Sequence, residues 1–303
     1  MDRFETMSVF LAVVEGGSLS AAGRRLGMPL ATVSRKLAQL ESHLNARLLS
    51  RSTRQLDLTE AGRAYLDACK RILGDVAEAE RAAAGEYSAP QGELTITAPI
   101  VFGRLHVLPI VTGFLQATPA VDVRLVLSDR NAHLLDEHVD LAVRIGVLPD
   151  SRLTARPLGA LRRMVCASPA YWKSHGRPKT PADLAQHRCV TFDIGGAPDA
   201  WTFRADKSGA GTTTVVVRSR LAVNTAEAAV DAAVAGLGPT RLLSYQAEPA
   251  RRAGQLVVAL ADFEPPRSPV NLVFDAQQRV PLKLRAFLEF AAPRLKERIA
   301  AIG

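Results

Sequence analysis

Between positions 24 and 54 the chain sets seven basic side chains, Arg24, Arg25, Arg35, Lys36, Arg47, Arg51 and Arg54, against a single acid, Glu41. Guanidinium groups at that density hold oxyanions, and the planar fork of an arginine bonds a pair of acceptors at once. Placed on a helix over 30–44, advancing about 100° per residue, Val33, Leu37, Leu40 and Leu44 fall on one face. The opposite face centres on Arg35, with Ala31, Thr32, Ser34 and Gln39 around it and Lys36 alongside. The major groove of B-form DNA admits an α-helix, arginine can bond both acceptors of a guanine edge, and small neighbours permit close approach. Arg51, Arg54 and Arg24 stand where phosphates would lie. The wheel alone fits an ordinary solvated basic helix equally well.

The elements that must position these residues are legible around them. Phe4, Met7, Phe10, Leu11 and Val14 recur at helical spacing, and Gly16-Gly17 ends that helix. Ser18 or Ser20 can cap a short helix over 21–26, which Gly27 stops, and a third begins near Pro29. "LLSRSTRQLDLT" alternates like two strands around a polar tip, a wing. Thr59 then caps a long helix over 60–85 with a stripe of Ala61, Tyr65, Cys69, Ile72, Val76, Ala79 and Ala83. Such a helix has little of its own to pack on, so Tyr65, Cys69, Ile72 and Val76 are expected to meet a partner helix.

"GEYSAPQGE" at 85–93 reads as a hinge. Beyond it, strands are predicted over 94–98, 121–127, 141–144, 164–167, 213–217, 256–260 and 270–274. Helices are predicted over 105–116, 131–137, 225–235 and 281–299. That alternation favours parallel α/β sheets.

The whole chain of 303 residues carries a net charge of +8, and positions 91–303 hold 26 basic against 19 acidic side chains, so the dense patch is at the front. Three well-separated cysteines, Cys69, Cys166 and Cys189, form neither a paired disulfide framework nor a CxxC motif and suit a reducing compartment. Asp2 and Glu5 stand where a secretory signal needs basic and apolar residues, and no long apolar run suggests a membrane span. A soluble cytoplasmic protein without membrane contact is expected. GxxxxGK[ST], HExxH, GxSxG and a strand-linked GxGxxG are all missing, and His43, His106, His133, His138, His175 and His187 are scattered, so no enzyme, metal or cofactor is expected. A solute-binding protein would explain only the back section, and redox sensing by Cys166 or Cys189 competes with ordinary burial.

"SLSAAGRRLGMPLATVSRKLAQLESHLNARLLSRSTRQLDLTEAGRAYL" resembles the N-terminal domain of LysR-type transcriptional regulators. Ser20-Ala21-Ala22, Arg25-Leu26-Gly27, Val33-Ser34-Arg35, Leu40-Glu41, "ARLLSRSTR" and "LTEAGRAYL" carry the likeness. It implies an all-α winged helix-turn-helix over 1–59, whose recognition helix holds Val33-Ser34-Arg35, and a dimerisation helix with hinge over 60–92. Many members begin that helix with Gln-Pro, where this chain has Leu30-Ala31, so base preference there does not carry over. "LTITAPIVFGRLHVLPIVTGFLQATP", "VDLAVRIGVLPDS" and "VNTAEAAVDAAVAGLG" extend the resemblance to an α/β effector-binding domain over 93–303. The resemblance implies two Rossmann-like subdomains of the type II periplasmic-binding-protein kind, about 93–162 with 268–303, and about 163–267. A small effector would lie in the cleft between them, near Ala98, Pro99, Val101, Phe102, Ser128, Arg144, Phe192, Trp201, Asn224 and Thr225. Strand ends and helix N-termini there are suited to such a ligand. Gly236-Leu237-Gly238 is followed by Pro239-Thr240-Arg241 in place of small apolar residues. The partners implied are an operator in double-stranded DNA, pseudo-palindromic like the dimer, the effector and further copies of the chain, with RNA polymerase left open.

Overall fold

The structure, a computed structural model, describes residues 2–51, 56–83, 89–129, 139–149, 152–192, 199–205, 211–276 and 280–303. It divides into two compact units, Met1–Ala89 and Pro90–Gly303.

The first unit begins with α1 (Arg3–Gly16), α2 (Leu19–Leu26) and α3 (Leu30–Leu44). Local chemistry sets each boundary. Asp2 accepts from the backbone of Phe4 and Glu5 at the start of α1, and Ser18 accepts from Ala21 N at the start of α2. Gly27, at φ 63°, turns the chain left-handed so that Met28 N can close on Gly23 O. A short antiparallel wing follows, β1 (Leu49–Arg51) paired with β2 (Leu56–Leu58), and then α4 (Glu60–Ala83). Val9, Phe10, Val13, Ala22, Val33, Leu37, Leu40, Leu48, Leu49 and Cys69 form the core.

Cys69 corrects an expectation. It is fully buried in the core of its own unit, beside Tyr65, whose ring lies 5.8 Å from that of Phe10. The first turns of α4 therefore pack on their own domain, and Ile72 and Val76 farther along are the half-buried residues of the stripe that remain for another helix.

The second unit holds two five-stranded mixed sheets. One has the order β4-β3-β5-β14-β6, from β3 (Gly92–Ala98), β4 (Val121–Leu127), β5 (Leu141–Ile145), β6 (Thr154–Leu161) and β14 (Ser268–Phe274). The other has the order β11-β8-β12-β7-β13, from β7 (Arg163–Ala167), β8 (Arg188–Phe192), β11 (Arg218–Val223), β12 (Thr240–Leu243) and β13 (Val257–Ala259). A hairpin of β9 (Ala200–Arg204) and β10 (Thr212–Val216) adds a small third sheet. The expected parallel pairing holds for β3 with β4 and β5 and for β8 with β11 and β12, whereas β14 and β7 run antiparallel to their neighbours.

Helices cover the sheets: α5 (Ile100–Phe102) continues through a π-turn, Gly103–Val107, into α6 (Leu108–Ala117), and α7 (Pro169–His175), α8 (Ala226–Val234), α9 (Ser244–Arg252) and α10 (Leu282–Ala300) follow. The stretch Ile100–Ala117 is long and apolar enough, by length and composition, to cross a membrane, against the sequence expectation. Val101, Phe102, Val107, Ile110, Val111 and Phe114 are nevertheless buried in the core with β3 and α10, as in the central helix of a globular domain. The predicted helix over 131–137 lies outside the described residues.

The chain passes between the two large sheets at Arg162 and again between β13 and β14. Arg162 pairs there with Glu264 through two parallel bonds, Nε to Oε2 and Nη2 to Oε1, each 2.8 Å. The carboxylate holds the guanidinium above the ordinary arginine range.

Gly62, in the first turn of α4, faces Leu48 so closely that an added Cβ would lie 1.9 Å from the Leu48 carbonyl oxygen. Gly62→Ala should therefore destabilise the first unit by about 3 kcal/mol, read as a lowered midpoint in urea unfolding followed by circular dichroism. An unchanged midpoint would show that the wing and α4 can separate freely.

Candidate DNA-reading face and effector cleft

On α3 the buried side is Val33, Leu37 and Leu40, and the opposite side is open. Ala31, Arg35 and Gln39 are exposed there, with Thr32 and Ser34 half-buried. Arg35, Ala38, Gln39, Ser42 and His43 line a shallow open depression along that face. Arg24, in the last turn of α2, is exposed as well. Among the described residues, neither Arg24 nor Arg35 is paired with a carboxylate.

Two basic residues of the patch are otherwise engaged. Lys36 turns to α1, where its ammonium meets Glu5 Oε2 at 2.5 Å with only 18% of its side chain exposed. This corrects the placement of Lys36 on the DNA-reading face, because an ammonium buried against its own carboxylate ties α3 to α1. Arg25 pairs with Glu15 at 2.5 Å. Arg51 ends β1 opposite Leu56, and Arg54 lies outside the described residues.

Glu41, the one acid of the window, was missed as a structural residue. Its Oε1 accepts from Leu48 N at 2.8 Å and Leu49 N at 3.2 Å and so anchors the start of the wing to α3. The spacing Leu40-Glu41 before a wing is the signal that could have found it.

In the second unit the expected effector residues separate into two groups. Pro99 precedes α5, Thr225 caps α8 by accepting from Ala228 N at 3.3 Å, and Asn224 is exposed beside it. Ser128, Arg144 and Phe192 are half-buried at strand ends. By contrast Ala98, Val101, Phe102 and Trp201 are core residues, each at most 4% exposed. Phe102 packs edge-on against Tyr245 of α9 with ring centroids 5.2 Å apart, and Trp201 sits in the cluster between β7 and the hairpin. The side chains of these four, expected near the effector, are taken up by core packing. Ala98 still positions the site through its carbonyl, which accepts from Ser128 N at 3.0 Å.

Asp129, next to Ser128, occupies the position expected of an anion. Its Oδ1 accepts from Ile100 N at 3.1 Å at the start of α5, and its Oδ2 is buried without a partner. Burial raises its pKa against the opposing effect of that bond, and Glu227 on α8 adds to the rise. Glu227 in turn lies 3.9 Å from Arg104 of the π-turn, an ion pair between helices of the two sheets.

His106, on the same π-turn, lies 4.9 Å from the Phe102 ring and 6.0 Å from that of Tyr245. Both ring nitrogens are buried without partners, and burial draws its pKa down to about 4, with the charge of Arg298 contributing. The imidazole is thus a neutral packing group. Among the described residues no group of three or more histidine, cysteine or acidic side chains could hold a metal.

The family model for the bacterial regulatory helix-turn-helix protein, lysR family, matches residues 4–63, and that for the LysR substrate binding domain matches residues 88–296. An HTH-type transcriptional regulator of Xanthomonas campestris pv. campestris is 35% identical over 291 residues, 95% of this chain and 84% of that protein. The HTH-type transcriptional regulator CrgA of Neisseria meningitidis serogroup C is 35% identical over 295 residues, 96% of each chain. Among solved structures, CrgA, a LysR-type regulator from Neisseria meningitidis, is similar with a TM-score of 0.61 at 33% identity, covering 96% of this chain and 98% of that one. The full-length Vibrio cholerae virulence activator AphB gives 0.60 at 27% identity over 95% and 98% of the two chains.

A histidine held neutral in the fold binds its proton more readily when unfolded, so stability falls as pH drops from about 6.5 toward 4. His106→Phe should reduce the loss of melting temperature between neutral and mildly acid buffer. A loss identical to that of the parent protein would mean that His106 is protonated without cost.

Proposed function

We propose, for a chain that belongs to the LysR family of bacterial transcriptional regulators, that Arg35 at the centre of the exposed face of α3 reads the DNA sequence. The protein is a regulator and not an enzyme, and it joins a helix-turn-helix DNA-binding domain to an effector-binding domain. The observation that carries the reading is the contrast on one helix: Arg35 is exposed without a carboxylate partner among the described residues, while Lys36 is tied to Glu5. A free guanidinium flanked by Ala31 and Ser34 can enter the major groove and bond a guanine edge. Arg24, Arg51 and Arg54 belong to the phosphate contacts, which add affinity without sequence information.

In this reading the chain works in the cytoplasm as a dimer or higher oligomer. Ile72 and Val76 of α4 meet the same helix of a second copy, so that two α3 helices address the half-sites of a pseudo-palindrome. A small effector held near Pro99, Ser128, Arg144, Phe192, Asn224 and Thr225 binds two arrangements of the second unit unequally, and that difference is what couples it to DNA. The segments 1–59, 60–92 and 93–303 are then the reader, the coupling helix with its hinge, and the sensor.

Arg35→Ala should abolish discrimination between the operator and scrambled DNA in fluorescence anisotropy, a loss of about 1–3 kcal/mol per contacted base pair. Lys36→Ala should keep discrimination and lower only thermal stability. The reverse pattern would move base reading to Lys36 and refute the assignment. For assembly, Ile72→Asp should give monomers by light scattering, and a dimer that survives it would remove this part of α4 from the interface.

A further inference from the structure

Arg163 and Arg241 have no part in the contacts proposed so far. Antiparallel pairing of β7 with β12 sets Arg163 opposite Leu243 and Arg241 opposite Val165. Residues two apart on a strand share a face, so both arginines rise from one side of the sheet as diagonal neighbours, about 7–8 Å apart and within reach of each other's long side chains. Arg163 is level with the last residue of β12, and Thr240 pairs with Val190 of parallel β8, which puts Arg241 beside the carboxyl end of β8, the side where open α/β sheets take ligands. Arg162, where the chain crosses between sheets, is the neighbouring residue.

Both arginines are half-buried. Arg241 is held in direction: Nη1 donates to Thr202 O at 3.4 Å, Nη2 to Ala200 O at 3.5 Å, and its guanidinium carbon lies 5.5 Å from the Trp201 ring centroid. None of these contacts supplies a negative charge. Among the described residues no carboxylate pairs with either arginine, and the polar neighbour of Arg163 is the Tyr245 hydroxyl. The next residue along from β12, Ser244, is 2% exposed and its Oγ is also without a partner. Burial draws Arg241 down to about 10, the charge of Arg163 adds to the fall, and burial lowers Arg163 as well.

Two cations withdrawn from water side by side are costly unless an anion joins them. We propose that Arg163 and Arg241 form an oxyanion subsite at the carboxyl ends of β8 and β12, and that the effector of this regulator carries a carboxylate or phosphate group that seats there. Two guanidinium forks converging on one group would bond several of its oxygens at once. This inference rests on the effector-binding role of the second unit and is independent of which residue reads DNA.

The test is thermal melting of the full-length protein in chloride, malonate or inorganic phosphate at matched ionic strength, for the parent, Arg163→Gln, Arg241→Gln and Arg35→Ala. Malonate or phosphate should raise the parent's melting temperature above its value in chloride, and the larger of the two gains identifies the group preferred. Both glutamine variants should lose that gain and Arg35→Ala should keep it. In chloride, Arg163→Gln should melt about 2–4 °C above the parent, because one of two repelling charges is gone. Equal melting in all three salts, a gain that survives both glutamine variants, or a gain lost in Arg35→Ala would overturn the subsite. So would a lower melting temperature of Arg163→Gln in chloride, which would show that its charge is already compensated. A failure of Arg35→Ala to alter DNA discrimination would refute the reading of DNA and leave this result untouched.

Discussion

Burial of Val33, Leu37 and Leu40 against α1 and α2 sets the rotation of α3 about its own axis, and the outward face follows from that rotation. Each such side chain contributes about 1.5–3 kcal/mol on leaving water, whereas a partly exposed ion pair contributes about 0–1 kcal/mol. The leucine side therefore decides the orientation, and Lys36 with Glu5 only trims it. Because the apolar positions are spaced by four and three, Arg35 and Gln39 on the opposite side of the helix face outward, while Lys36 on its flank reaches Glu5. Function in the first unit thus begins as a packing problem solved from the inside.

The second unit solves a different problem, the junction of two sheets. Phe102 against Tyr245 and Arg104 beside Glu227 bring the π-turn helix of one sheet onto the helices of the other. The acids Asp129 and Glu227 occupy the neighbourhood of two helix starts. Arg163 and Arg241, half-buried on β7 and β12, have no carboxylate partner among the described residues.

The front of the chain was legible because its signals are local. Ser18, Gly27 and Thr59 act within a few residues of where they stand, and the period of Val33, Leu37 and Leu40 lies in one helix. What escaped was set by residues distant in sequence: Lys36 cannot be removed from the exposed face without knowing that Glu5 lies beneath it. In the second unit, β6 went unread because Pro157 and Gly159 interrupt it, and an edge strand tolerates both. Pro249 likewise obscured α9, and the exposed, arginine-bearing β11 lacks the apolar alternation that marks a strand. Trp201 was expected near the effector because sequence gives residue type, not the side of the hairpin on which it is enclosed.

The bidentate ion pair of Arg162 with Glu264 sits where the chain passes between the two sheets of the second unit. Two separate crossings would let one sheet slide, tilt or twist against the other. A planar fork joins the two crossings to each other at one point between the sheets.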